Sequence, residues 1–446
     1  MKKACSAGLA LTAALCAGRL SAQELLRLPA PLPEPPAQSS PTQPVDASAP
    51  VEAAGGPAFL EIWAHANGWL SLTPANLWPR HDMGLHASCS DTLLYTQAEY
   101  LLWWMKDSHL PPLVTAGSFT DPAPAVLGQP GTSIVLGGDA AHQEVFSGGR
   151  FTLGTWLGQP DLIALEGVFL FLGDRSLQSP TVSAPGLGNS PVLGRPIVDP
   201  VTGAETIEPV ASPNEQSGAA RFTFKSEFWG MEGNAKTLLA SGCWYRTEIL
   251  TGFRFLDLQE KLGIGQSESF SPAGSSLSAV INDDFQTSNR FYGGQIGTST
   301  RLGWDRWTLD FTSKLALGST IDVTHIDGST LLTSSTGGTT LLPGGILAAP
   351  SNSGRFRSAA FSVVPETGIT AGWQITDHLH AHVGYNYLCW TSVIRPGDQI
   401  DRVVNVSQLP TLNGPGVLVG PASPIVPFGR STFWAQGVDF GFEFSF

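Results

Sequence analysis

The stretch RWTLDFTSKLAL, Arg306 to Leu317, decides the fold. Trp307, Leu309, Phe311, Leu315 and Leu317 fall on one side of an extended chain, and Arg306, Thr308, Asp310, Thr312 and Lys314 on the other. Successive side chains of a strand point to opposite faces, so this pattern predicts a strand with one greasy and one polar face. The same split sets Tyr245, Ile249, Phe253 and Phe255 against Arg246, Glu248 and Arg254. It sets Phe222, Phe224 and Phe228 against Thr223, Lys225 and Glu227, and Phe440, Phe442, Phe444 and Phe446 against Asp439, Gly441, Glu443 and Ser445.

Working outward, ten such segments can be counted, at 92–107, 144–158, 161–173, 218–236, 241–258, 284–302, 304–325, 358–376, 378–395 and 430–446. Their connections alternate between two classes. Gln159-Pro160, Thr237 to Ala240, Gly303 and Asp377 read as tight turns, whereas 108–143, 174–217, 259–283, 326–357 and 396–429 are long and rich in Gly, Pro, Ser and Thr. Short turns at one end and long loops at the other predict an all-β, transmembrane, antiparallel up-and-down β-barrel of ten strands, with periplasmic turns and extracellular loops. An even count closes the ring, removes its unpaired edges and leaves both termini on the periplasmic side. A hairpin from residues 58–91 would make twelve. The segments exceed the five or six residues typical of soluble sheets, and Trp103, Trp104, Trp304, Trp390 and Trp434 are expected in interfacial girdles.

Composition agrees. Only 14% of the 446 residues are charged, against about 25% in an ordinary soluble domain. With 50 glycines and 34 prolines, most helices would be broken. Beyond the first twenty residues no run reaches the roughly 18 apolar residues of a spanning helix. A net charge of −13 offers no footprint for nucleic acid.

Residues 1–22 read as a secretory signal, with Lys2 and Lys3, an apolar Ala4 to Ala17 and small residues at Leu20-Ser21-Ala22. Residues 23–57, holding Pro29, Pro31, Pro33, Pro35, Pro36, Pro41, Pro44 and Pro50, read as an extended linker. Residues 58–91, with Trp63, Trp69 and Trp78, are a periplasmic cap or a plug, and residues 92–446 are the barrel. After cleavage Cys89, Cys243 and Cys389 remain, with no CxxC spacing. A disulfide between Cys89 and Cys243, which share a rim in this topology, is one reading and three inert thiols the other.

Sequence chemistry is sparse. No GxSxG, HExxH, phosphate-loop or calcium-loop spacing occurs, so the expectation is a non-enzymatic protein without a cofactor. His378, His380 and His382 share one face of a strand start beside Asp377; a metal site is one reading and a polar stripe at the periplasmic mouth the other. The charges expected to line the lumen are Glu99, Arg150, Glu166, Lys225, Glu227, Arg246, Glu248 and Arg254, then Arg301, Asp310, Lys314, Glu366 and Glu443, joined by His380 and His382. They read either as a selectivity lining or as an ion-pair network that fills the interior. Eight strands give a bore just filled by side chains and sixteen or more an aqueous channel, so ten favour a narrow or plugged lumen. Asn386 is expected to face in between lipid-facing Tyr385 and Tyr387, and Arg395 to pair with Asp398 across a turn.

Several segments resemble the outer-membrane β-barrel porin family numbered seven. They are AEYLLWWMKDSHLPPLVTAG (Ala98 to Gly117), GGRFTLGTWL (Gly148 to Leu157), LTGFRFLDLQEKLGI (Leu250 to Ile264), NRFYGGQIGT (Asn289 to Thr298), VPETGITAGWQIT (Val364 to Thr376) and GYNYLCWTSVIRPGDQID (Gly384 to Asp401). The resemblance covers residues 92–446 and implies an outer-membrane barrel of porin type; it carries no catalytic or ligand residues to transfer. Separately, terminal Phe446 after alternating aromatics is similar to the signal by which outer-membrane proteins engage the barrel-assembly machinery.

The expected function is a porin or narrow channel for small solutes, embedded in outer-membrane lipid. The Pro-rich arm would reach the cell wall or a periplasmic partner. The alternative is a structural or surface-interaction protein with a sealed lumen, and a third reading is an enzyme at the extracellular rim using His142 or His325.

Overall fold

The computed structural model describes residues 94–141, 144–157, 163–270, 277–335, 337–410 and 416–446. The signal, the arm, residues 58–91 with their twelve-strand alternative, Cys89, the Gln159-Pro160 turn and His142 lie outside the described residues.

Among the described residues, ten long strands correspond one to one with the ten expected segments. They are β1 (Leu94–Met105), β2 (Phe146–Leu157), β3 (Ile163–Gln178), β4 (Gln216–Gly242) and β5 (Tyr245–Phe270), then β6 (Leu277–Trp304), β7 (Trp307–Ser334), β8 (Gly354–Thr376), β9 (Leu379–Ile394) and β10 (Arg430–Ser445). Each pairs antiparallel with its sequence neighbours, and β1 pairs with β10, so the hydrogen-bonding ring closes. The N-terminus of β1 and the C-terminus of β10 meet at the short-turn end, where Phe446 N–H donates to the Leu94 carbonyl at 2.9 Å.

Turns and loops depart from expectation at instructive places. Thr237 to Ala240 stay in the sheet through a bulge between Leu238 and Ala240, and the chain turns at Cys243-Trp244. Gly303 is likewise strand; Asp305 turns instead, with φ +55°. Two expected loops, 259–283 and 326–357, are largely strand: β4 to β7 run 27, 26, 28 and 28 residues, against 12 each in β1 and β2. A tilted strand crosses a bilayer in about 9–11 residues, so this wall rises well beyond one. Cys243 is a free, exposed thiol and Cys389 is disulfide-bonded, so neither the Cys89–Cys243 disulfide nor three inert thiols holds.

On the outer face an apolar belt surrounds the ring. Phe151, Leu153, Phe253, Ile296, Phe311, Leu317, Ile369, Phe440, Phe442 and Phe444 are all exposed there. Aromatic rings collect at its two margins. Trp307 stacks on Trp373 at 6.1 Å near the short turns, while Phe169, Trp229, Phe255 and Tyr292 form a chain of ring contacts at 6.2, 4.9 and 5.0 Å on the far side.

Beyond that margin the alternation reverses although the in-and-out parity along β4 and β5 is kept. Along β4, Met231 points out and Glu232 in; six and eight residues earlier respectively, Lys225 points out and Phe224 in. Along β5, exposed Phe253 and buried Arg254 give way to exposed Lys261 and buried Leu262. Past the belt the outside is wet, and the inside is occupied by folded loops. A small antiparallel sheet of residues 205–211, 192–198, 112–117 and 133–137, in that order, covers the long-loop end. Leu113, Val114, Leu193 and Ile197 from this cap pack with Phe224, Leu262, Ile264 and Phe285 of the wall in one buried cluster.

Candidate functional site

The lumen is the only interior the ring offers, and it is filled in layers. Nearest the short turns, Arg301 of β6 donates through Nε to Asp310 at 2.8 Å and reaches Glu443 of β10, four strands round the ring, at 3.3 Å. His380 Nε2 lies 2.9 Å from Thr308 Oγ1, and Arg246 pairs with Glu248 at 2.7 Å while covering the Trp156 ring. Glu166 binds Lys236 and accepts from the Tyr95 hydroxyl at 2.9 Å.

The next layer is buried. Glu232 accepts from Arg254 and, at 2.9 Å, from Lys314, while Glu366 meets both cations from the opposite side. Gln295 Nε2 donates to Glu232 at 2.9 Å. Beside this group, Arg150 forks onto both oxygens of Glu99 and lies 3.4 Å from Asp439, which accepts from Asn386 at 2.6 Å. His382 Nε2 is 3.0 Å from Glu99, and its ring stacks on His380 at 6.1 Å. Buried charges are tolerated when they are paired and hydrogen-bonded, and each of these acids faces a cation.

Above the charges lies a dry layer. Leu101, Trp103, Phe146, Phe228, Leu256, Phe291, Trp390 and Phe433 are buried together with the other members of one inward-facing cluster. Phe228 of β4 meets Phe433 of β10 across the lumen at 5.5 Å, and Phe291 meets Trp390 at 6.1 Å. Trp103 fits because its cross-strand partner is Gly437, whose absent Cβ would fall 2.5 Å from the Trp103 Cα. Arg395 then bridges wall and loop: its Nε donates to Glu260 at 2.8 Å and its Nη1 to the Lys106 carbonyl at 2.8 Å.

Most of the residues expected to line the lumen do face inward: Glu99, Arg150, Glu166, Arg246, Glu248, Arg254, Arg301, Asp310, Lys314, Glu366, His380, His382 and Glu443. Lys225 and Glu227 do not. Both are exposed on the outer face, with Lys225 paired to Asp174 at 2.9 Å, because at their level the inside of the ring is the apolar one. Trp103 and Trp390 are lumen core and not girdle, since each shares its face with buried neighbours such as Leu101 and Leu388. Arg395 pairs with Glu260 instead of Asp398, and His325 points outward. His378 sits exposed in the turn, its Nδ1 3.0 Å from the Ser445 carbonyl, apart from the other two histidines.

Asn234, Lys236, Glu232, Gln295 and Asp439 belong to the layer although the lumen assignment omitted them; their parity along β4, β6 and β10 was the available signal. Glu99, His382 and Asp439 bring ligand-type atoms within 4.8 Å of one another. Arg150 already neutralises both carboxylates there, so the arrangement reads as an ion-pair cluster.

A closed antiparallel ring with a greasy exterior and a lumen packed with paired charges and aromatic rings defines a β-barrel of the closed kind. The chain belongs to the family described as "Putative beta barrel porin-7 (BBP7)", whose model matches residues 95–446. No curated protein matches it. Among solved structures it is similar to the outer membrane protease OmpT from Escherichia coli, at 10% identity and TM-score 0.38, over 80% of this chain and 98% of that one. It is also similar to a Pseudomonas aeruginosa FadL homologue, at 9% identity and TM-score 0.19 over 79% and 90%, and to the Pseudomonas putida toluene transporter TodX, at 7% and 0.15 over 79% and 89%. Likeness at this level bears on neither activity nor substrate.

Proposed function

We propose that the protein is a sealed barrel of the bacterial outer membrane, with its belt in lipid, its short turns in the periplasm and its capped end outside. In this reading it acts as a structural or surface-interaction protein through that capped end, not as an open channel or an enzyme. One observation carries it: Phe228 and Phe433, four strands apart round the ring, touch across the lumen at 5.5 Å. A hydrated solute has no room between such rings, and the ion pairs beneath them already satisfy the charges that would otherwise guide it. The belt supports the membrane placement, since ten exposed strands of this character have no other solvent that suits them. Phe446, exposed at the end of β10, remains the proposed handle for the barrel-assembly machinery, and the Pro-rich arm the proposed periplasmic tether.

Two measurements test this. Folded wild-type protein in planar bilayers is expected to be electrically silent, and discrete conductance steps overturn the sealed reading. The free Cys243 thiol reports orientation: in intact cells it should resist a membrane-impermeant maleimide and react once the outer membrane is permeabilised. Labelling of intact cells reverses the assignment of ends.

A further inference from the structure

The outer face above the belt carries several cations, and those nearest the far aromatic margin are matched by acids on adjacent strands. Arg290 pairs with Asp257 at 3.1 Å, Lys225 with Asp174 at 2.9 Å and Lys261 with Asp284 at 3.1 Å. On β8 the pattern breaks. Arg355 and Arg357 are exposed, and neither forms an ion pair among the described residues. His325 lies opposite Arg355 in register on β7, also exposed, with Nδ1 3.2 Å from the Gly354 carbonyl. Asp327, the next outward residue on β7, is exposed and makes no ion pair with any of the three.

Their level is fixed by the ladder. Tyr292, at the upper aromatic margin, is in register with Ser319, and Ser319 with Phe361. Arg357 and Arg355 follow four and six residues further along β8. At about 3.3 Å per residue on a tilted strand, this sets them roughly 10–15 Å past the Tyr292 level, where the outward face of β7 passes from Ile321 and Val323 to His325 and Asp327, the depth of lipid headgroups and not of the hydrocarbon centre. Arg221 is also exposed and forms no ion pair among the described residues, but its level in the ladder lies farther out. Two guanidinium groups on one face, about 7 Å apart along the strand, present planar forks suited to phosphate oxygens.

We propose that Arg355 and Arg357, with His325 beside them, bind the phosphate groups of an anionic lipid headgroup in the leaflet around the capped end. This rests on the outer-membrane reading above, and the experiment separates the two. Full-length protein is inserted into phosphatidylcholine vesicles containing bisphosphorylated lipid A, extracted in mild detergent, and its retained lipid A counted by mass spectrometry. Wild type should retain lipid A over phosphatidylcholine. The folded R355Q/R357Q variant should retain it about 30-fold more weakly, about fivefold for each arginine near the surface, and K261Q, at a paired site, should match wild type. Equal retention by R355Q/R357Q, or an equal drop in K261Q, overturns the site. Inorganic phosphate that competes as well as lipid A does at the same concentration overturns the lipid assignment in favour of a free anion. Wild type that fails to insert at all overturns the membrane reading instead.

Discussion

Glu232 holds two cations at once, Arg254 and Lys314, inside a layer that water does not reach freely. Removing it leaves both cations dependent on Glu366 alone. Glu232→Ala is therefore expected to destabilise the barrel by about 3–5 kcal/mol, the range for breaking a buried pair; a urea midpoint unchanged from wild type would sink the argument. A different residue governs pH. In the cap region above the belt, burial pushes Glu268 up to about 7, with Glu208 adding to the rise and the Gln266 amide and Arg195 opposing it. A carboxyl raised by folding favours the folded state below its unfolded value near 4.5 and costs stability as pH climbs through 7. Amide exchange of residues 192–211, corrected for intrinsic rates, should slow on going from pH 8 to pH 5. Glu268→Gln should abolish most of that dependence, which amounts to ~3 kcal/mol at full ionisation. Faster exchange at pH 5 contradicts the sign.

At the scale of the element, the reversing alternation explains both what the sequence made legible and what it hid. All ten strands could be read, because a period of two survives whichever face is greasy. The faces of β4 are not legible locally, because Phe222, Phe224 and Phe228 alternate just as outward-facing Phe253 and Phe311 do. By that pattern Lys225 and Glu227 fall inside, and Glu232, Asn234 and Lys236 leave the lumen. The upper halves of β5, β6 and β7 look like loop for the same reason: Leu262 and Phe285 face an apolar interior supplied by distant loops, which no local pattern announces. β6 offers the direct test. Ile296→Arg, at belt level, should cost about 2–4 kcal/mol, whereas Gln286→Arg on the same outward face should stay within about 0.5 kcal/mol, as surface changes do. Equal costs in a denaturant titration would show that the outward face meets one solvent along its whole length.

For the whole molecule, the sealed reading proposed above makes closure of the lumen redundant. The apolar layer, the Arg395 bridge and the folded cap each block the same axis. Deleting cap residues 112–137 should therefore leave the barrel silent in planar bilayers. Combining that deletion with Phe228→Ala and Phe433→Ala should give measurable current. Current from the cap deletion alone would locate the seal in the loops and not in the wall.

β10 contributes Phe433 to the dry layer, Asp439 to the Arg150 cluster and Glu443 to Arg301. This one strand thus completes three separate strata at a stroke. Until it docks, Arg301 lacks its far partner and Phe228 faces a gap. A chain truncated before Arg430 would consequently hold a loose, wet middle open to proteases, so the loss of this single strand is felt at every level of the interior.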